Sequence, residues 1–504
     1  MRPPTRRLRA AAARLRALAS RATRLTRRLL ADPLAATVLL CLILVFSLYA
    51  RVLDLGQPCT SPCKDSSNHT LIFDESYYVN AARVIDGIEP PVGAPYHGAP
   101  KYEDPNAEHP QLAKLVIAGG IELFGDNPRG WRIGSVLFGL LAMVALYVLV
   151  QAAGGSAWLA LGAVGVMSLD NLLLVGGRIA TLDIYAVAMM LVAAALYMRR
   201  HPLLAGVALG VGGCMKEVAL YLIFVVVLLE ALRYARLGWA RWAAGSEALA
   251  AEGAPGEVGA PTGEASLATA ASATPRASDA SSHSTALPTG QVGNGWRALL
   301  LFLAATTASF LGLLWLLDVL VPAYDPVHHT TYAGSPFTHL LHIYHYAQQL
   351  KMKPGEVGIS SSPWEWLLNE RTINYAKVAV NSVVNGHLVA SRATVAFQGA
   401  INPFIIFMAI PALFAALAAA WRKGEGVAAV GACWCVGAFM PFAVDSFVTG
   451  RISYIYYMVV VMPGVYIVAA RLFSPRRMPL AATLGWTVAL VYGFLNLYPL
   501  HTLL

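Results

Sequence analysis

About eleven apolar segments, most of them close to the length of helix that a bilayer demands, recur along this chain. Few patterns restrict a fold so tightly. A hydrocarbon layer roughly 30 Å thick takes about 20 helical residues, and a backbone crossing it must satisfy its own hydrogen bonds. The segments fall at 33–50, 133–150, 157–175, 184–198, 203–215, 218–232, 298–321, 403–420, 427–443, 454–470 and 480–498. A shorter apolar run, 115–124, suits an interfacial helix better than a crossing one. With 57% hydrophobic and only 13% charged residues, the 504-residue chain lacks the polar surface that several soluble domains would need. The expected fold is an all-α polytopic membrane protein of about eleven transmembrane helices.

Charge gives the orientation. The formal net charge of +9 does not mark a nucleic-acid face, because the basic residues gather at segment ends and near the N-terminus. Residues 1–31 hold ten arginines and no acid. They read as a cytoplasmic anchor, with an Arg-rich transit peptide as the competing reading. Counting crossings places Arg199, Arg200, Arg233, Arg236, Arg241, Arg422, Lys423, Arg471, Arg476 and Arg477 on that same side. The expected organisation is a basic segment, 1–31; a first helical group, 32–241, with an outer loop at 54–130; a linker, 242–296; and a second group, 297–504, with an outer loop at 322–398. Between Trp242 and Trp296 there is no aromatic residue, a composition expected of a disordered cytoplasmic linker. Both polar loops and the C-terminus then face outside, which predicts a multi-pass protein of the cell membrane with its chemistry on the extracytoplasmic face.

The first outer loop carries Phe73-Asp74-Glu75-Ser76-Tyr77-Tyr78, two adjacent acids among aromatic rings. Mutual repulsion and a lowered local dielectric can hold one such acid as a proton acceptor near neutral pH, although a solvated helix start explains adjacent acids equally well. Further charges collect at the outer segment ends: Lys114, Arg132, Arg178, Asp183, Lys216, Glu217, Arg392 and Arg451. Charges at the rim of a bilayer are costly, and cations there suit the phosphate of a lipid-linked substrate, with snorkelling as the alternative for each alone. Cys59 and Cys63 sit in a polar loop where a short disulfide fits an oxidising compartment. A single sequon begins at Asn68. His342 and His345, three apart, are compatible with a metal and equally with a polar helix face.

Taken in order, Phe73-Asp74-Glu75-x-Tyr77-Tyr78, His109-Pro110-x-Leu112-x-Lys114, Asn127-Pro128-x-Gly130-Trp131-Arg132, Arg178-Ile179-Ala180-x-Leu182-Asp183 and Pro363-Trp364-Glu365-Trp366-Leu367 resemble the motifs of the protein O-mannosyltransferases and related polyprenyl-phosphate-sugar glycosyltransferases of the GT-C fold. Gln111 and Ala113 depart from the family's usual Pro and Gly. The resemblance implies that Asp74 is the catalytic acid and Glu75 its partner, and that Arg132 and Asp183 lie at the catalytic face. His109 and Lys114 fall in the family's His-Pro segment, and Lys114, Arg132, Arg178, Lys216 and Arg451 are the cations available to the donor phosphate. It implies a polyprenyl-phosphate-linked sugar, most simply mannose, passed with inversion to a Ser or Thr hydroxyl of an exported protein, with no nucleic acid involved. No cofactor is assigned, and participation of a divalent ion stays open. A lipid or glycan acceptor uses the same site. A transporter or flippase would instead place charges at mid-membrane on broken helices and show internal repeats.

Overall fold

The computed structural model describes residues 33–59, 69–252, 295–351, 358–475 and 477–499. The basic segment 1–31, most of the linker, Asn68, Cys63, Arg476 and the Arg392 side chain lie outside the described set. In chain order the helices are α1 (Pro33–Val52), α2 (Glu75–Ile85), α3 (Leu112–Phe124), α4 (Pro128–Ala152), α5 (Ala157–Ser168), α6 (Asn171–Gly176), α7 (Asp183–Met198), α8 (Pro202–Met215) and α9 (Leu222–Glu252). There follow α10 (Gly295–Leu320), α11 (Pro336–Gln349), α12 (Pro363–Trp366), α13 (Pro403–Ile406), α14 (Ala409–Lys423), α15 (Gly426–Thr449), α16 (Met462–Leu472) and α17 (Leu480–Leu497). Among the described residues, seven stretches are long and apolar enough to cross a membrane, those of α1, α4, α9, α10, α13 with α14, α15 and α17. Helices α5, α7, α8 and α16 are apolar but shorter, so a count of about eleven requires all four to cross as well.

Several segments expected as single helices, 157–175 and 454–470 among them, are broken by polar or irregular backbone. The 157–175 segment stops at Ser168, and Asp170 restarts it as α6 by accepting the Leu172 amide at 3.4 Å. Asp170 is wholly buried and also takes the Tyr466 hydroxyl and the Asn402 amide, so a carboxylate inside the bundle ties α6 to the C-terminal helices. The 454–470 segment opens as a 3₁₀ turn, Ile455–Val460, before α16 begins.

Small residues let helices from the two halves meet. On α8, a Cβ at Gly206 would fall 2.6 Å from the Phe302 carbonyl oxygen, and one at Gly210 would fall 2.7 Å from the Phe310 amide nitrogen. The Gly-x-x-x-Gly spacing brings the α8 and α10 backbones together, the usual solution where lipid removes the hydrophobic drive for helix association. Tyr197 meets Phe302 edge-on at 5.3 Å beside this seam.

The second long polar loop folds into more than helices. Ala323–Asp325 pairs with Thr330–Tyr332 as a short hairpin, β1–β2. A longer antiparallel hairpin, β3 (Ile373–Val384) and β4 (His387–Gly399), rises from the second loop. It turns at Asn385-Gly386, both at positive φ, the pair that a type I′ turn favours. The all-helical expectation omitted this hairpin, although an Asn-Gly between alternating apolar residues is its strongest short-range signal. Expected helical rhythm over 337–350 appears as α11.

Candidate active site

Asp74 and Glu75 are neighbours in sequence and opposites in environment. Phe73 adopts a left-handed backbone, φ 53°, which costs a non-glycine residue about 1–2 kcal/mol and turns the chain so that Asp74 heads α2. The Glu75 carboxylate is fully buried. It accepts both Nε (2.8 Å) and Nη2 (2.7 Å) of Arg132, the Ile72 amide (2.7 Å) and the Ala180 amide (2.8 Å). Glu75 therefore joins three of the sequence motifs: its own, the helix start that bears Arg132, and the Arg178-Ile179-Ala180 segment. Asn127 makes that helix start by capping the Arg129 amide, with Pro128 in the first turn.

The Asp74 carboxylate, by contrast, has no hydrogen-bond or ion-pair partner among the described residues. Burial pushes its carboxyl up to about 6, opposed by Lys216, reinforced by Asp183 and opposed again by His109. Lys216, Asp183 and His109 are thus the charged or polar groups that act on it. Lys216 Nζ lies 2.8 Å from Asp183 Oδ1 and sits over the rings of Tyr456 (5.5 Å) and Tyr457 (5.8 Å). His109 Nδ1 lies 3.0 Å from Glu217 Oε2. Phe73, Tyr375 and Tyr456 form an aromatic wall, with ring centroids 4.7 Å and 5.5 Å from Phe73.

The remaining cations divide by what already holds them. Lys114 is wholly buried and donates to the Asn106 (2.6 Å) and His109 (2.8 Å) carbonyls while pairing with Asp104. Arg132 also donates to the Leu55 and Gln57 carbonyls. Arg178 donates to the carbonyls of Ala50, Leu53 (2.7 Å) and Asp54, closing the C-terminal end of α1. All three spend their donors inside the fold. Arg451 is different: it pairs with Asp445 at 3.3 Å, keeps a buried Nε without a partner, and lines a cleft with Asp445, Ser446, Ser453 and Tyr457. Tyr457 thus stands between Lys216 and Arg451, feeling the charge of both.

Two motifs act as supports. Trp366 is fully buried, donates to Ser361 Oγ at 2.9 Å and meets Tyr457 and Phe442 edge-on. Ser361 and Ser453 exchange hydrogen bonds at 2.8 and 2.6 Å, so α12 fixes the strand of chain that carries Tyr456 and Tyr457. Gln111, one of the two departures from the family pattern, donates to Asp318 at 2.7 Å; Asp318 also faces His339 at 2.8 Å. A proline there could not make that bond to α10. Cys59 is disulfide-bonded. His342 faces Asp325 at 3.7 Å, and among the described residues no group of three or more His, Cys, Asp or Glu is arranged to hold a metal ion.

The fold is of the GT-C type: the S. cerevisiae protein O-mannosyltransferase Pmt1-Pmt2 complex bound to the sugar donor superposes with a TM-score of 0.56, covering 92% of this chain and 90% of that one. At 12% identity the likeness establishes fold. Residues 41–247 match the dolichyl-phosphate-mannose-protein mannosyltransferase family, and they include every motif from Phe73 to Asp183. The polyprenol-phosphate-mannose--protein mannosyltransferase of Corynebacterium glutamicum is 34% identical over 163 residues, which is 32% of this chain and 29% of that relative's length. Tyr375, Arg451 and the 455–460 turn lie beyond the matched family residues.

Proposed function

We propose that this protein transfers mannose from a polyprenyl-phosphate carrier to Ser or Thr hydroxyls of exported proteins, with inversion, in the cell membrane and on its extracytoplasmic face. On this reading the four short apolar helices cross as well, giving about eleven crossings, with the 54–130 and 322–398 loops outside and 242–296 inside. The observation that carries it is the Asp74 carboxylate, without a bonded partner among the described residues and pushed up to about 6, with Lys216 acting on it and lying over the Tyr456 ring. Asp74 takes the proton of the attacking hydroxyl as oxygen bonds to the anomeric carbon and the carbon–phosphate-oxygen bond breaks. The departing phosphate needs no proton, because Lys216 and Arg451 meet its charge. Glu75, Arg132, Arg178 and Lys114 keep the loop that presents Asp74 in place, and Asp183 and His109 hold Lys216 and Glu217 around it.

The test uses membranes from expressing cells, labelled polyprenyl-phosphate-mannose and a Ser/Thr-rich peptide. Label should reach the peptide with wild type and fail to with Asp74→Asn. Transfer undiminished in the variant removes Asp74 from the mechanism, and label appearing only in a lipid or glycan fraction replaces the protein acceptor. Cysteine labelling at the 54–130 loop from the cytoplasmic side would overturn the orientation.

A further inference from the structure

Tyr375 takes no part in the chemistry above, yet the hairpin is built to bring it there. In the β3–β4 ladder Asn374 pairs with Gln398 and Ala376 with Phe397, which leaves Tyr375 as an extra residue without a partner. Such a bulge breaks the alternation of faces and re-aims one side chain. Its ring lands 4.7 Å from that of Phe73, the residue preceding Asp74. Gly399 makes the room: a Cβ there would lie 2.6 Å from the Tyr375 ring and hydroxyl. The base of the hairpin is held in place by Phe397, which packs with Ile72, Val175 and Ile179 and lies 5.3 Å beneath the Arg178 guanidinium. Bulge, glycine and anchor converge on one phenol.

That phenol is a donor in want of an acceptor. Burial, then the Asp183 carboxylate, then that of Asp74, hold it well above the usual tyrosine range, so it stays protonated. Its hydroxyl has no hydrogen-bond partner among the described residues, and neither has the Asp74 carboxylate that acts on it. A phenol without a partner on a partly buried wall of rings complements a ring compound that is apolar on its faces and hydroxylated at its edge. With Asp74 reserved for the attacking peptide hydroxyl, the phenol is left for the other reactant, the donor sugar.

We propose that Tyr375 is a specificity-determining residue for the donor sugar, its hydroxyl donating to one hydroxyl oxygen of the monosaccharide while its ring, with Phe73, walls the sugar in. This rests on the reading of the reaction given above. A site made to meet a given hydroxyl discriminates against a sugar that lacks it.

The experiment compares full-length wild type with Tyr375→Phe, which keeps the ring. Both are assayed with polyprenyl-phosphate-mannose and with carriers bearing its singly deoxygenated analogues, against one peptide acceptor. The variant should melt as wild type does, raise the donor KM about three- to tenfold, the worth of one neutral hydrogen bond, and leave the peptide KM and the acid limb of the pH profile unchanged. One deoxy analogue should cost wild type that same factor and cost Tyr375→Phe nothing more. An unchanged donor KM, or equal penalties in both proteins for every analogue, overturns the proposal, as does a lowered melting temperature with an unchanged donor KM. If wild type transfers no sugar from any such carrier, the reaction itself is wrong and this inference falls with it; normal transfer with an indifferent variant overturns this inference alone.

Discussion

The charges around the two adjacent acids are of two kinds. The Glu75 carboxylate is answered by Arg132 and two backbone amides, and Arg132, Arg178 and Lys114 are each at most 1% exposed and bonded to carbonyls or carboxylates. Among the described residues the Asp74 carboxylate has no bonded partner, and Arg451, in the cleft it shares with Tyr457, keeps a buried Nε without one. The difference separates charges that hold the loop from charges that wait for a ligand. Removing one member of a buried pair strands the other, whereas removing a group that faces a pocket removes only what it does there.

The largest expected effect tests the open side. Asp74→Asn should lower peptide mannosylation by about 10²–10⁴-fold, the usual worth of a general base, while the purified protein melts as wild type does. Wild-type turnover in the variant would make Asp74 as structural as its neighbour. On the closed side, Arg132→Ala should leave Glu75 buried without its cation and cost about 3–5 kcal/mol of stability. The check is thermal unfolding in detergent; a stable variant with a selectively raised donor KM would move Arg132 into the phosphate site instead. Arg451→Ala should preserve the melt and raise the donor KM roughly ten- to hundredfold, as loss of one or two charge-assisted bonds does. An equal rise in peptide KM would assign the cleft to the acceptor.

The mildest test is acidity. Because the base must be ionised, and its carboxyl titrates at about 6, kcat/KM should be level above that pH and fall about tenfold per unit below it. The Asp74→Asn variant's residual rate should lose that acid limb, which is the comparison to measure.

Much of this was legible in the residues. Apolar segment lengths announced a polytopic helical protein, and the ordered motifs from Phe73 to Asp183 identified the family pattern that residues 41–247 match. The same reading treated Lys114, Arg132, Arg178, Lys216 and Arg451 alike, because nothing in a linear pattern tells a cation bonded to carbonyls from one facing a pocket. Asp104, which pairs with Lys114, lies in a loop with no motif of its own. Tyr456 and Tyr457 looked like part of an apolar span. The Asn385-Gly386 turn could have revealed the hairpin, but not that a bulge would direct Tyr375 at Phe73.

Sequence alone decided that this chain lives in a membrane, since an apolar run of sufficient length has few other places to go, and it put Asp74 beside Glu75. Only the folded chain decided that these adjacent acids differ in kind. One lies where Arg132 and two backbone amides converge; the other has no bonded partner among the described residues. A carboxylate's role follows from which donors surround it, and donors drawn from residues 57 and 105 positions away are brought together by packing, not by order along the chain.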